Sequence, residues 1–275
     1  MPSDLQPLLA WPDYLQASWL RCAHQTSATL WHPPHSAKGQ TLQSLRQRKR
    51  DLLTTGEMAL EDLYEFMEGR PCALLLTDES GCLLAQTGHP DTLRELAALG
   101  FGPGAFFSEG RIGTNAINLA ALEGVPLCVS GPQHFNQTLH PWHCCASPVY
   151  NSNGRQVAIM ALICKVEAAS AGDLALTVSA GRELAHLLQM ETLMQESQHH
   201  LSELYVLLDG MDDGVLAWDP QGRLRYLNAL AAHRSEGLPA GHLAGQIKGL
   251  VVRQVLTTFD LNEQRIPMGL HQPEL

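Results

Sequence analysis

The residues in this sequence best suited to chemistry are histidines and cysteines. His140, His143, Cys144 and Cys145 fall within six positions, with His134 just upstream. Imidazole and thiolate are donors that suit zinc or iron. Adjacent residues on a strand face opposite ways, however, so Cys144 and Cys145 are poorly placed to share one ion, and no metal or cofactor is expected. A redox role for Cys144 or Cys145 would require an accessible thiol of low pKa. The seven cysteines are odd in number and sit mostly in apolar runs, so buried reduced thiols are the expectation. No Gly-x-Ser-x-Gly elbow, His-Glu-x-x-His pair or dinucleotide fingerprint is present. The chain reads as a non-enzyme, with a thiol reductase acting on a small oxidised substrate as the weakest alternative.

The bulk properties narrow the class further. The chain has 275 residues, 45% hydrophobic and 17% charged, enough for about two domains. A net charge of -10 disfavours both nucleic acid and anionic membrane as partners of this segment. The basic group Arg46, Arg48, Lys49 and Arg50 reads as a solvated helix face. The N-terminus lacks the features of a secretory signal and no apolar run reaches 18 residues, so the expected location is cytoplasmic.

The elements that would position these residues follow from periodicity. Residues 4 to 25 and 41 to 68 carry apolar positions near helical spacing, separated by Trp31-His-Pro-Pro-His35. Cys72 to Thr77 and Cys82 to Gln86 read as a hairpin about Asp78-Glu-Ser-Gly81. Asp91 is a candidate cap for a helix through Leu99 with Gly100 as its terminator, and Gly113-Thr114 opens another, with Thr114 as its candidate cap, ended at Gly124. Val125 to Val129, Cys144 to Tyr150 and Gln156 to Cys164 read as strands, the last two joined by Asn151-Ser-Asn-Gly154. This order predicts an α+β domain with helices on one or both faces of an antiparallel sheet.

From Asp173 the pattern is helical and then heptad-like. Leu187, Met194, Leu201 and Leu208 are seven apart, and Met190, Leu204 and Met211 take the paired positions, with Ser197 breaking the stripe. A parallel homodimer seam is the favoured reading, against a helix packed on its own domain. Beyond it, Asp213 to Trp218 and Leu224 to Asn228 flank Asp219-Pro-Gln-Gly222 as a second hairpin. Residues 233 to 275 hold one apolar run, Leu250 to Leu256, so this last domain reads as short or incomplete.

Four segments carry a resemblance: Ser18-Trp-Leu-Arg-Cys22, Glu109-Gly-Arg-Ile-Gly-Thr-Asn-Ala-Ile117, Gln133-His-Phe135 with His140-Pro-Trp-His-Cys-Cys-Ala-Ser-Pro148, and Met211-Asp-Asp-Gly-Val-Leu-Ala-Trp-Asp219 followed by Gly222 and Asn228. In this order they resemble the sensor half of sigma-54-dependent bacterial enhancer-binding activators of the acetoin-catabolism type, and within that group the branch controlling dihydroxyacetone kinase operons. The resemblance implies an N-terminal helical segment over 1–47, a GAF domain over 48–168, a signalling coiled coil over 172–211 and an incomplete PAS domain over 212–275. The AAA+ ATPase and helix-turn-helix domains of full-length relatives are not expected here, because there is no G-x-x-x-x-G-K-[ST] loop and no basic recognition helix. By analogy with the family, Phe106, Phe107, Thr114, Asn115, His134, His140 and Trp142 would line a ligand cleft. The branch also implies that dihydroxyacetone kinase subunits dock on the GAF-PAS region, one activating and one repressing. The alternative is a GAF sensor that binds a small acetoin-like metabolite.

Overall fold

A computed structural model describes residues 11–67, 69–218 and 224–234. The chain divides into two compact units, Met1–Thr192 and Leu193–Leu275. The first is built on a five-stranded antiparallel sheet, β1 (Cys72–Asp78), β2 (Leu83–Gly88), β3 (Leu127–Ser130), β4 (Trp142–Tyr150) and β5 (Gln156–Lys165), in the order β2-β1-β5-β4-β3. The α+β expectation holds, with helices on both faces.

The three inner strands explain why the sequence shows runs rather than alternation. Leu75, Ile163 and Ala146 point into one layer, and Leu74, Leu162 and Val149 into the other, so both faces of β1, β5 and β4 are dry. The first layer is covered by α1 (Asp13–Gln25), α4 (Pro90–Ala98), α5 (Glu109–Ile112) and α6 (Ala116–Glu123). The second is covered by α3 (Arg50–Phe66), which follows α2 (Gly39–Arg48), and by the first half of α7 (Asp173–Asp209). Along α3 the buried residues are Leu52, Leu53, Thr55, Gly56 and Leu60. Gly56 permits the close approach of that helix to β1, since a Cβ there would lie 2.3 Å from Leu76 Cδ2.

Several boundaries depart from the sequence reading. The second helical stretch is two helices, broken at Lys49, whose Nζ pairs with Glu79 at 2.5 Å. His89 rather than Asp91 caps α4, its Nδ1 accepting from the Asp91 amide at 3.3 Å. Thr114 does not cap α6; Asn115 does, accepting from the Asn118 amide at 2.9 Å. Gly124 ends α6 at φ 68°, as its position predicts.

In α7, Asp173, Thr177, Gly181 and Leu184 are buried at helical spacing, which is the face packed on the sheet. Of the seam residues, Leu187 and Leu208 are half-buried, while Met190, Met194, Leu201 and Leu204 are exposed. Met211 lies beyond the last residue of the helix. Leu193, Tyr205, Val206 and Leu207 are exposed as well, so the apolar surface of this helix is broader than a two-position stripe.

The second unit contains the remainder of α7, the antiparallel pair β6 (Leu216–Trp218) and β7 (Leu224–Leu227), and α8 (Ala229–Arg234). Asn228 organises it. Its fully buried amide donates to Leu208 O and Asp213 O and accepts from the Val215 and Ala231 amides, all at 2.9 Å. The turn 219–223 and the run Leu250 to Leu256 lie outside the described residues.

Candidate functional site

The segment expected to line a ligand cleft also seats the N-terminal helix. Leu15, Ser18 and Cys22 recur at helical spacing along α1 and are all buried. The Ser18 hydroxyl donates to Glu109 Oε1 at 2.7 Å and lies 2.8 Å from Thr114 Oγ1. Arg21 grips the same carboxylate at two points, Nε to Oε2 and Nη2 to Oε1, each at 2.9 Å. Cys22 Sγ is 3.5 Å from Thr114 Oγ1, and burial pushes its thiol above the ordinary range. Trp19 donates its indole N–H to Gln133 O at 2.8 Å and meets Phe135 edge-on.

The chain that follows α1 is fastened too. Asn136 Nδ2 donates to Ser27 O at 2.8 Å and Leu30 O at 3.0 Å, and Arg111 Nε donates to Pro33 O at 2.9 Å. These bonds join the first resembling segment to the second and third. Their spacing along the chain gives no hint of the contact; only the fold brings Ser18 and Arg21 to Glu109.

Each residue proposed as pocket lining has a structural occupation. Phe107 is buried and stacks on Phe101 with ring centroids 4.9 Å apart. Phe106 is half-buried and its amide donates to His35 O. Thr114 faces α1, and Asn115 caps α6 while donating to Gly113 O at 3.0 Å. His134 is buried with Nδ1 3.0 Å from Thr114 O, and burial lowers its pKa to about 4. His140 Nε2 is 3.2 Å from His134 O. Trp142 is buried, with Lys165 Nζ 4.0 Å from the centre of its ring. The arrangement holds α1 in place, and within it His134 Nε2 is buried without a hydrogen bond.

Nor does the site favour thiol chemistry at Cys144. That side chain is buried, and burial raises its pKa to about 12, so it stays protonated and unreactive. The expectation of uniformly reduced thiols is corrected at one pair. Cys128 and Cys145 are directly opposed in the β3–β4 register and form a disulfide, Cα to Cα 4.0 Å, while the other five cysteines are free and buried. Spacing could not reveal this, because pairing is set by strand register.

A further group ties the sheet to the start of α7. Arg70 donates from Nη1 to Asp173 Oδ1 at 2.6 Å and from Nη2 to Oδ2 at 2.8 Å, and also to Ala168 O at 2.6 Å. The Ser170 amide reaches Asp173 Oδ2 at 2.9 Å. Burial alone would raise the Asp173 carboxyl, but these donors hold it below its usual value. Sequence reading missed both residues, since an isolated Arg and Asp 103 positions apart give no signal.

Comparison with known proteins decides the family. Residues 51–188 match the GAF domain family. The chain belongs to that family. The GAF sheet and its covering helices also superimpose well on a chain in the crystal structure of the E. coli DhaR(N)-DhaL complex, at 42% identity and a TM-score of 0.76 over 84% of this chain and 80% of that one. Among curated proteins, this GAF chain is 47% identical over 215 residues to the glycerol metabolism operon regulatory protein of Citrobacter freundii, covering 78% of this chain and 34% of the relative. It is 44% identical over 228 residues to the PTS-dependent dihydroxyacetone kinase operon regulatory protein of Escherichia coli K12, covering 83% and 35%. The acetoin dehydrogenase operon transcriptional activator AcoR of Bacillus subtilis is 30% identical over 61% of this chain and 29% of its own length. The chain thus spans about a third of the length of these relatives.

The α1 seat on the GAF domain supports one prediction. Glu109→Ala should cost about 2 kcal/mol, less than a fully buried pair would, because the Arg21 side chain is 39% exposed and water can replace part of the lost bond. The expected reading is a lower urea midpoint together with faster amide exchange across α1. Unchanged exchange in α1 would contradict the role given to Glu109.

Proposed function

We propose that this chain is the sensory region of a bacterial transcription regulator of dihydroxyacetone and glycerol metabolism. It acts in the cytoplasm and without catalysis, and it receives its signal by docking dihydroxyacetone kinase subunits. The superposition on a chain of the DhaR(N)-DhaL complex carries this reading, supported by the two operon regulators of 47% and 44% identity. The second unit is read as the opening of a PAS domain. The exposed residues Met190, Met194, Leu201 and Leu204 are read as a homodimer seam passing the signal to ATPase and DNA-binding domains.

The expected result is that residues 1–275 retain a dihydroxyacetone kinase subunit in a pull-down and that the pair shows a discrete heat of binding. Thermal shift with acetoin, dihydroxyacetone and glycerol should show no stabilisation. Docking would be overturned by failure to bind either subunit. A metabolite raising stability by the roughly 2.7 kcal/mol expected at a hundredfold excess over its Kd would transfer the reading to the small-molecule sensor. A monomeric mass at high concentration, with and without subunit, would remove the seam.

A further inference from the structure

The face of the sheet opposite α1 carries a cluster apart from the residues expected to line the cleft. Cys128 and Cys145 face each other across β3 and β4. His143, two residues before Cys145, shares its face, and its Nε2 is 3.2 Å from Cys145 Sγ. The two sulfurs and a ring nitrogen of His143 lie within 4.8 Å of one another. The other ring nitrogen, Nδ1, is buried without a hydrogen bond. Cys145 is buried, His143 and Cys128 are half-buried, and β3 is the outer strand, so solvent reaches the cluster from one side.

We propose that, once the disulfide is reduced, Cys128, His143 and Cys145 bind a thiophilic divalent cation of the zinc type. Two thiolates and one imidazole are a zinc donor set, and bonds of about 2.3 Å to sulfur and about 2.0 Å to nitrogen place tetrahedral donors roughly 3.5 Å apart; His143 Nε2 and Cys145 Sγ, at 3.2 Å, are near that spacing, and the two sulfurs separate to it once their bond is reduced. The fourth position falls to water on the open side. Cys144 cannot contribute, since it lies in the opposite core layer. The sequence grouping of His140, His143, Cys144 and Cys145 is thus replaced by one in which the third donor comes from the neighbouring strand. Asp173, the first residue of α7, is 3.7 Å from His143 Nε2, so the site adjoins the origin of the long helix.

The redox step balances simply. A small dithiol gives two electrons and two protons to the Cys128–Cys145 bond and becomes its own disulfide. Each freed thiol then loses its proton to solvent as the cation binds. Reoxidation to the disulfide removes both sulfur donors and releases the ion.

The test uses residues 1–275, reduced with a dithiol, desalted without oxygen and titrated with Co²⁺. One equivalent should produce thiolate-to-cobalt charge-transfer absorption, and Zn²⁺ should displace it. The unreduced protein should show none. Cys128→Ser and Cys145→Ser should abolish the band, His143→Gln should weaken binding about tenfold or more, and Cys144→Ala should leave it in place. No band in reduced protein, or a band that survives both serine changes, overturns the site. Footprinting on the unmutated chain guards against misfolded variants: Zn²⁺ should protect Cys128 and Cys145 from iodoacetamide, and equal labelling with and without Zn²⁺ counts against the proposal. None of these readings depends on kinase docking.

Discussion

Arg70→Ala should lower stability by about 3–5 kcal/mol, the cost of leaving a buried carboxylate without its cation. Asp173 is almost wholly buried, and Arg70 supplies two of its bonds besides the one to Ala168 O. Denaturant unfolding at neutral pH reads the loss directly. The effect should also have a sign in pH. In the parent chain the Asp173 carboxyl is depressed below its usual 3.8, so its contribution is present above that value and disappears as pH falls through the lower folded value. In the variant burial is opposed only by the Ser170 amide and His143, so the carboxyl takes up its proton at higher pH and the deficit should shrink on acidification. A deficit constant between pH 7 and pH 3 would show that Arg70 acts through packing rather than charge. Because Asp173 opens α7, the same change should loosen the root of the helix proposed to transmit the signal.

The second large effect is acid sensitivity carried by His134. Burial lowers its pKa from 6.5 to about 4, so between those values the unfolded chain binds a proton that the folded chain refuses. Stability contributed by the neutral ring is complete above about 6.5 and declines as pH falls toward 4. The span corresponds to roughly 3 kcal/mol. His143 is also lowered by burial, with Arg70 adding to it and Asp173 opposing, and it acts in the same direction. His134→Gln should therefore flatten, without abolishing, the slope of unfolding free energy against pH in this window. An unaltered slope would mean that His134 titrates alike in the folded and unfolded chains, with no shift from burial.

The residues bearing the family resemblance are largely those that hold the molecule together. Ser18, Arg21 and Cys22 meet Glu109 and Thr114, and Asn228 gathers four bonds around the second hairpin. The role of the α1 residues was hidden in the sequence because Ser18, Arg21 and Cys22 lie about 90 positions from their partners and no periodicity links them. Phe107, Thr114, His134 and Trp142, expected along a cleft, are all buried, and burial of polar and aromatic groups looks alike in sequence whether a ligand or a helix covers them.

What the sequence alone determined here is local. Apolar runs marked the five strands of the first unit, Gly and Asn marked their turns, and the change of period at Asp173 marked the long helix, because backbone conformation follows from neighbouring residues. The His-Cys group was visible as chemistry but not as a site. Only the tertiary structure decided that α1 seats on Glu109 and Thr114, that Arg70 clamps Asp173, and that Cys128 rather than Cys144 stands beside Cys145 and His143. Those outcomes depend on strand register and helix docking, which place residues by their position in the sheet and not by their distance along the chain.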